Sequence, residues 1–154
     1  MINLATIIKN MGQLNQILES RLVKAMKMTR DTIFEVATSK LLEYYEEPVF
    51  NGSSEPKVYQ RTYELMSAPK SSDIKNIGNG YQFTVGFDDE YLTFRYSGGA
   101  TGIQVLEWYN SESHGGTVPG SHKFWDETLE QLGNKIGILN LFRENCRKCG
   151  IPIK

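Results

Sequence analysis

The sequence predicts an α+β fold in which long N-terminal helices pack on a small antiparallel β-sheet, with further helices at the C-terminus. Three observations carry that expectation. Residues 3–46 hold no proline and one glycine, with apolar side chains recurring every three or four positions. Residues 81–87 and 91–96 switch to two-residue alternation, on either side of Asp88-Asp89-Glu90. Residues 124–149 return to helical spacing, broken at Gly133. The 154 residues, 40% of them hydrophobic, suit one domain with one core, spanning 1–154.

In the first segment, Leu4, Ile7, Ile8, Met11, Leu14, Ile17, Leu18, Leu22, Ala25 and Met26 form the stripe, continued by Ile33, Val36, Ala37, Leu41 and Tyr44. The pattern predicts a short first helix and a second from about Gln13 to Glu46, roughly 50 Å long at 1.5 Å per residue. Arg21, Lys24, Lys27 and Arg30 fall off the stripe and are expected to face solvent or a partner. Pro48 ends the helix, and the loop at 51–56 leads to Tyr59–Leu65, read as a short helical turn.

Gly78-Asn79-Gly80 predicts a turn. Tyr81, Phe83, Val85 and Phe87 then alternate with polar residues, as do Leu92, Phe94 and Tyr96. These read as two strands joined by a hairpin turn at Asp88-Asp89-Glu90, their aromatic face on the long helix. Thr101-Gly102-Ile103-Gln104 fits a capping box that opens a helix holding Glu107 and Trp108. Val105–Leu132 carries both tryptophans and both histidines. Its Gly- and Ser-rich centre, 111–121, is expected to be a mobile loop between aromatic ends, presented by the rest of the chain as scaffold. Gly133 separates the next helix from a last one, which carries Ile138, Leu139, Phe142, Cys146 and Cys149 and stops at Gly150 and Pro152.

A net charge of -1 gives no reason to expect a nucleic-acid partner, and no apolar run reaches the roughly 18 residues a membrane span needs. The expectation is therefore no membrane, no specific nucleic acid and synthesis in the cytoplasm. The charge is unevenly placed. Residues 1–40 hold six basic and three acidic side chains, and 41–90 hold four and nine. A solvated surface explains this as simply as the sharper reading, a basic helix on one copy meeting an acidic edge on the next.

His114, His122, Cys146 and Cys149 are zinc-ligand types, but histidines eight apart that precede the cysteines do not fit a zinc motif. Cysteines three apart on a helix are more simply two small buried hydrophobes. No nucleophile elbow, phosphate loop or dinucleotide fingerprint is present. The expectation is no cofactor and no enzyme. The alternative is a small hydrolase or metal-dependent enzyme using Glu107 and His114, which would need burial to shift their proton affinities. Among Trp108, Tyr109, Phe124 and Trp125, core packing is the expected role of Phe124 and Trp108, and aromatic side chains are also the usual anchors of protein interfaces.

The order of these elements resembles that of the tail-completion, or head-tail joining, proteins of long-tailed bacteriophages, often described as minor tail proteins. The likeness spans about residues 1–140. A Tyr-x-Arg-Thr-x-x-Leu segment stands here as Tyr59, Arg61, Thr62 and Leu65, with Tyr63 where the family carries glycine. Val105–Tyr109 is similar to a Val-Glu-Phe-Gly-like motif, and 120–125 matches the family's lead-in to its last helix, without its proline. The resemblance implies a structural virion protein. It would form a ring homo-oligomer, with a hexamer as the candidate order, at the head-proximal end of the tail tube. Its partners would be its own copies, the tail-tube protein and the head-connector or neck proteins; its place would be the virion, after assembly in the host cytoplasm. A host-acting phage binding module is a third possibility. Arg61, Thr62, Asp88, Asp89, Glu90, Trp108, His114 and Trp125 are the interface candidates.

Overall fold

In a computed structural model of the chain, the described residues are 11–46, 64–93, 95, 99–110 and 123–153. The expected α+β architecture is present, and its spine is the first helix. Helix α1, Met11–Glu46, has 36 residues, so it runs roughly 54 Å at 1.5 Å per residue. Three of its threonines are accommodated by bonding back along the helix: Thr29, Thr32 and Thr38 each donate to the carbonyl four residues earlier. The short helix expected before residue 11 lies outside the described residues.

After α2 (Glu64–Ser67) the chain makes a nested hairpin of four short strands, β1 (Pro69–Ser71), β2 (Lys75–Asn76), β3 (Tyr81–Gln82) and β4 (Val85–Phe87). β1 pairs antiparallel with β4, Lys70 opposite Gly86, and β2 with β3, Asn76 opposite Tyr81. Between the two ladders, Ser72 still pairs with Thr84 through a 2.9 Å amide-to-carbonyl bond, which leaves Asp73 and Ile74 opposing Phe83 alone. Two residues against one is a β-bulge, and it divides the hairpin into two ladders. The tip is the predicted turn: Ile77 N–H donates to Gly80 O, and Gly78 N–H to Asn76 Oδ1, with Gly78 at φ +88°.

The hairpin predicted at Asp88–Glu90 is not formed. Those residues open a helix, α3 (Asp89–Thr93), and Leu92 belongs to it rather than to a second strand. Asp88 decides this, because its Oδ1 accepts from Glu90 N–H at 3.1 Å while its carbonyl takes the first helical bond from Leu92. That is an N-cap, with acidic residues in the first turn favoured by the helix dipole. The partner of the Tyr81–Phe87 segment is the polar stretch 69–76.

Helix α4 (Gly102–Asn110) starts on the predicted capping box, with Thr101 N–H donating to Gln104 Oε1 at 2.9 Å and Gln104 N–H to Thr101 Oγ1 at 3.4 Å. Helices α5 (Phe124–Gln131) and α6 (Asn134–Lys148) are separated at Gly133 as expected, with Gly133 at φ +75° and Asn134 at +57°.

Everything runs back along α1. At one end Leu41 is buried with Ala68, Tyr91, Leu106 and Phe124. Farther along, Thr29 meets Asn145. At the far end Arg21 Nη1 donates to Gly150 O at 2.9 Å. The hairpin follows the same course, since Arg30 Nη1 donates to Ser72 O and Tyr81 OH to Glu19. The chain is thus organised around α1, and Val105–Leu132 is divided between α4 and α5, with 111–122 outside the described residues. A helix of this length is not stable through propensity alone; two covering layers, each burying part of its surface, hold it.

Candidate functional site

Phe87, Tyr91, Phe124 and Trp125 converge where the hairpin root, α3 and α5 meet the C-terminal half of α1. Phe87 stands edge-on to Phe124, with ring centroids 5.3 Å apart, and edge-on to Trp125 at 5.8 Å; Phe124 and Trp125 lie 4.7 Å apart. Such edge-to-face pairs add to simple burial. Phe124 is buried and Trp125 half-buried, so one neighbour anchors α5 while the other keeps part of its ring at the surface.

Beside this cluster Lys70 Nζ lies 2.8 Å from Asp88 Oδ2. The Lys70 hydrogen bond, and next the Glu90 amide, hold the Asp88 carboxyl below its ordinary range. Across α5, Lys40 Nζ lies 2.7 Å from Glu43 Oε2. That bond, against some desolvation and with the fields of Glu43, Glu127 and Glu130, holds the Lys40 ammonium above its ordinary range.

The interface candidates divide accordingly. Asp88 is a helix cap and ion-pair partner, Glu90 is exposed on α3, and Trp125 packs on Phe87 with part of its surface open. Trp108 lies in α4 and Asp89 opens α3, but their side chains are outside the described set. Arg61, Thr62, His114 and the loop at 111–121 also lie outside the described residues. Of the alternative catalytic pair, Glu107 is exposed on α4 and His114 is outside. Among the described residues no group of three or more His, Cys, Asp or Glu side chains is placed to hold a metal. Cys146 is buried against α1, and burial, then the neighbouring Cys149, pushes its thiol up. Cys149 reaches Met28 Sδ at 3.8 Å. No described helix is long and apolar enough to cross a membrane.

Outside this cluster, the helices carry a second surface that the sequence reading did not single out. Ile136, Leu139, Arg143 and Arg147 are exposed on α6, as are Asp126, Leu129 and Glu130 on α5. Leu139, one of the apolar residues of this amphipathic helix, is exposed; the covered side of α6 is set by Asn145 and Cys146, with Ile138 and Phe142 half-covered. Ile136, Arg143 and Arg147 recur at i, i+7 and i+11, about opposite Asn145, whereas Leu139 stands seven residues before Cys146 at the edge of the covered side.

The model of the YomN family matches residues 10–148, which is the structure from the start of α1 to the end of α6. The chain belongs to the YomN family. YomN is a phage-derived family, and this chain is a phage-encoded protein. No curated protein and no solved structure matches it. Because the YomN match includes α1, the hairpin and α5–α6 together, the spine and both of its covering layers belong to the family's shared region.

Proposed function

We propose that this phage-encoded protein is a structural, non-enzymatic virion component. It forms a ring at the head-proximal end of the tail tube and joins tail to head. The observation that carries the reading is the open side of α1. Lys24 and Lys27 are exposed in the first half of this rigid helix, where Glu19 is held by Tyr81, and Asp31, Glu35 and Glu43 are exposed farther along it, Glu43 paired with Lys40. Opposite charges displaced along a stiff element favour head-to-tail contact between copies, the geometry that closes a ring, and they fix its register. The phage-derived family and the resemblance of motif order to tail-completion proteins support the same role. Tail-tube and neck proteins are the proposed neighbours, with a hexamer as the candidate ring order.

The test is complementation. A phage lacking the gene is supplied with the protein or with its Lys24→Glu/Lys27→Glu variant, and particles are scored for infectivity and for joined heads and tails. Unjoined heads and tails without the gene, rescued by the protein and not by the folded variant, fit the proposal. Joined particles in the absence of the protein would sink it.

A further inference from the structure

The outward face of α5 and α6 carries an ordered sequence of chemistry. Asp126, Leu129 and Glu130 lie one turn apart on the side of α5 opposite buried Phe124 and Thr128. On α6, Ile136, Asn140, Arg143 and Arg147 are exposed on the side opposite buried Asn145, with Glu144 exposed beside them and paired to Lys148, and Leu139 exposed nearer the edge that holds Cys146. The face therefore reads acidic, apolar, basic. Ile136, in the first turn of α6, falls midway in the chain between the acidic pair and the arginines, and it is 75% exposed. Leu139, one turn on, is 46% exposed, and Leu129 on α5 is 39% exposed. An isoleucine three-quarters open on a helix, with open Leu139 one turn on, is an apolar centre with charged residues to either side along the chain.

Such a face is complementary to itself when turned end for end. An antiparallel second copy places its Arg143 and Arg147 against Asp126 and Glu130, receives the reverse at the other end, and stacks Ile136 on Ile136 at the axis. Residue i then contacts j and j contacts i, the signature of a two-fold contact. A parallel copy would set like charges against each other and is disfavoured. We propose that the outward face of α5–α6 is a two-fold docking surface for a second copy of this chain. The contact is separate from the head-to-tail one suggested for α1, because Lys24 and Lys27 project from a different element. It holds whether or not the protein joins heads to tails.

The experiment is analytical ultracentrifugation of the full chain at low salt, with circular dichroism confirming the fold of each variant. The wild type is expected as a dimer that weakens as salt rises. Arg143→Glu/Arg147→Glu alone, or Asp126→Lys/Glu130→Lys alone, weakens self-association at least tenfold. Mixing those two variants restores a dimer, as does combining all four changes in one chain, since both arrangements recover opposite charges at each end. Ile136→Asp gives a monomer with an unchanged helical signal. A wild type that stays monomeric at high protein concentration overturns the proposal, as does a failure of the four-fold swap to restore pairing. A larger ring that persists unaltered in both double variants overturns this contact and leaves the joining role intact. A dimer that behaves as predicted in a protein that fails complementation does the reverse.

Discussion

Asn145 donates through Nδ2 to Thr29 Oγ1 at 3.0 Å, and both residues are almost wholly buried between α1 and α6. Thr29 in turn donates to Ala25 O, so the pair forms a short relay on the side of α1 where Ala25 and Cys146 give close approach. Thr29→Val removes the acceptor and leaves a buried amide unmatched, with an expected loss of about 1–3 kcal/mol. Thr29→Val/Asn145→Leu is expected to lose less than the sum of its single changes. Urea unfolding of the four proteins checks the cycle; strict additivity would mean that the bond contributes nothing.

Two glycines are fixed by backbone proximity. A methyl group on Gly137 would sit 1.8 Å from Leu132 O, and one on Gly102 would sit 2.0 Å from Tyr91 O. Neither carbonyl can swing aside without moving a helix, so Gly137→Ala and Gly102→Ala are each expected to cost more than about 3 kcal/mol, in the range reserved for severe clashes. Gly86→Ala, whose added methyl would meet nothing within 4 Å, is the control and should change stability by less than about 1 kcal/mol. Comparable melting temperatures for all three would refute the close approach.

Asp88 makes stability depend on pH with a definite sign. Its folded carboxyl lies below its ordinary value of 3.8, through Lys70 first and the Glu90 amide second. A group depressed on folding contributes stability above the unfolded value and loses it as pH falls through the folded one. Lys70→Met should therefore lower the melting temperature slightly at pH 7, with the difference from wild type fading below about pH 3.8. Carbon-detected titration of Asp88 in the variant should show its midpoint moving up; an unmoved midpoint would remove Lys70 as the cause.

The aromatic cluster separates burial from contact. Phe124 is 1% exposed and should cost about 3–5 kcal/mol as Phe124→Ala. Trp125→Ala should cost less, because part of that ring already faces water, yet should report a local change through lost tryptophan fluorescence. Equal losses for the two would mean that Trp125 is as deeply held as its neighbour.

The long helix, the capping box at Thr101 and the break at Gly133 were legible because each is a local signal: a 3.6-residue period, a hydroxyl three residues before an amide, a residue free to take positive φ. The turn at Gly78–Gly80 was legible for the same reason. The strand reading of Leu92 failed where two local signals competed. Alternation argued for a strand, but Asp88-Asp89-Glu90 is also an acidic helix start, and the Asp88 cap decided for the helix. The strand pairing was hidden because its second partner, 69–76, is polar and short and is placed by Ser72 and its bulge rather than by an apolar pattern. The exposure of Leu139 was not legible because a stripe of apolar residues on an amphipathic helix does not reveal where its edge lies. The acidic triplet was legible as a change of chain direction but not as a helix start, since capping depends on a backbone conformation that composition does not encode.

Asn145 follows Thr29 by 116 residues, and the two can meet only after everything between them has been made. At about 5–20 residues per second, the nascent chain spends on the order of ten seconds with this side of α1 uncovered. The hairpin and the Leu41 cluster can form on α1 earlier, so synthesis proceeds through a half-clad spine whose remaining apolar strip is open to chaperones, or to another nascent copy on the same message. During synthesis that strip is the last part of α1 to be covered, and whatever delays α6 prolongs its exposure to aggregation.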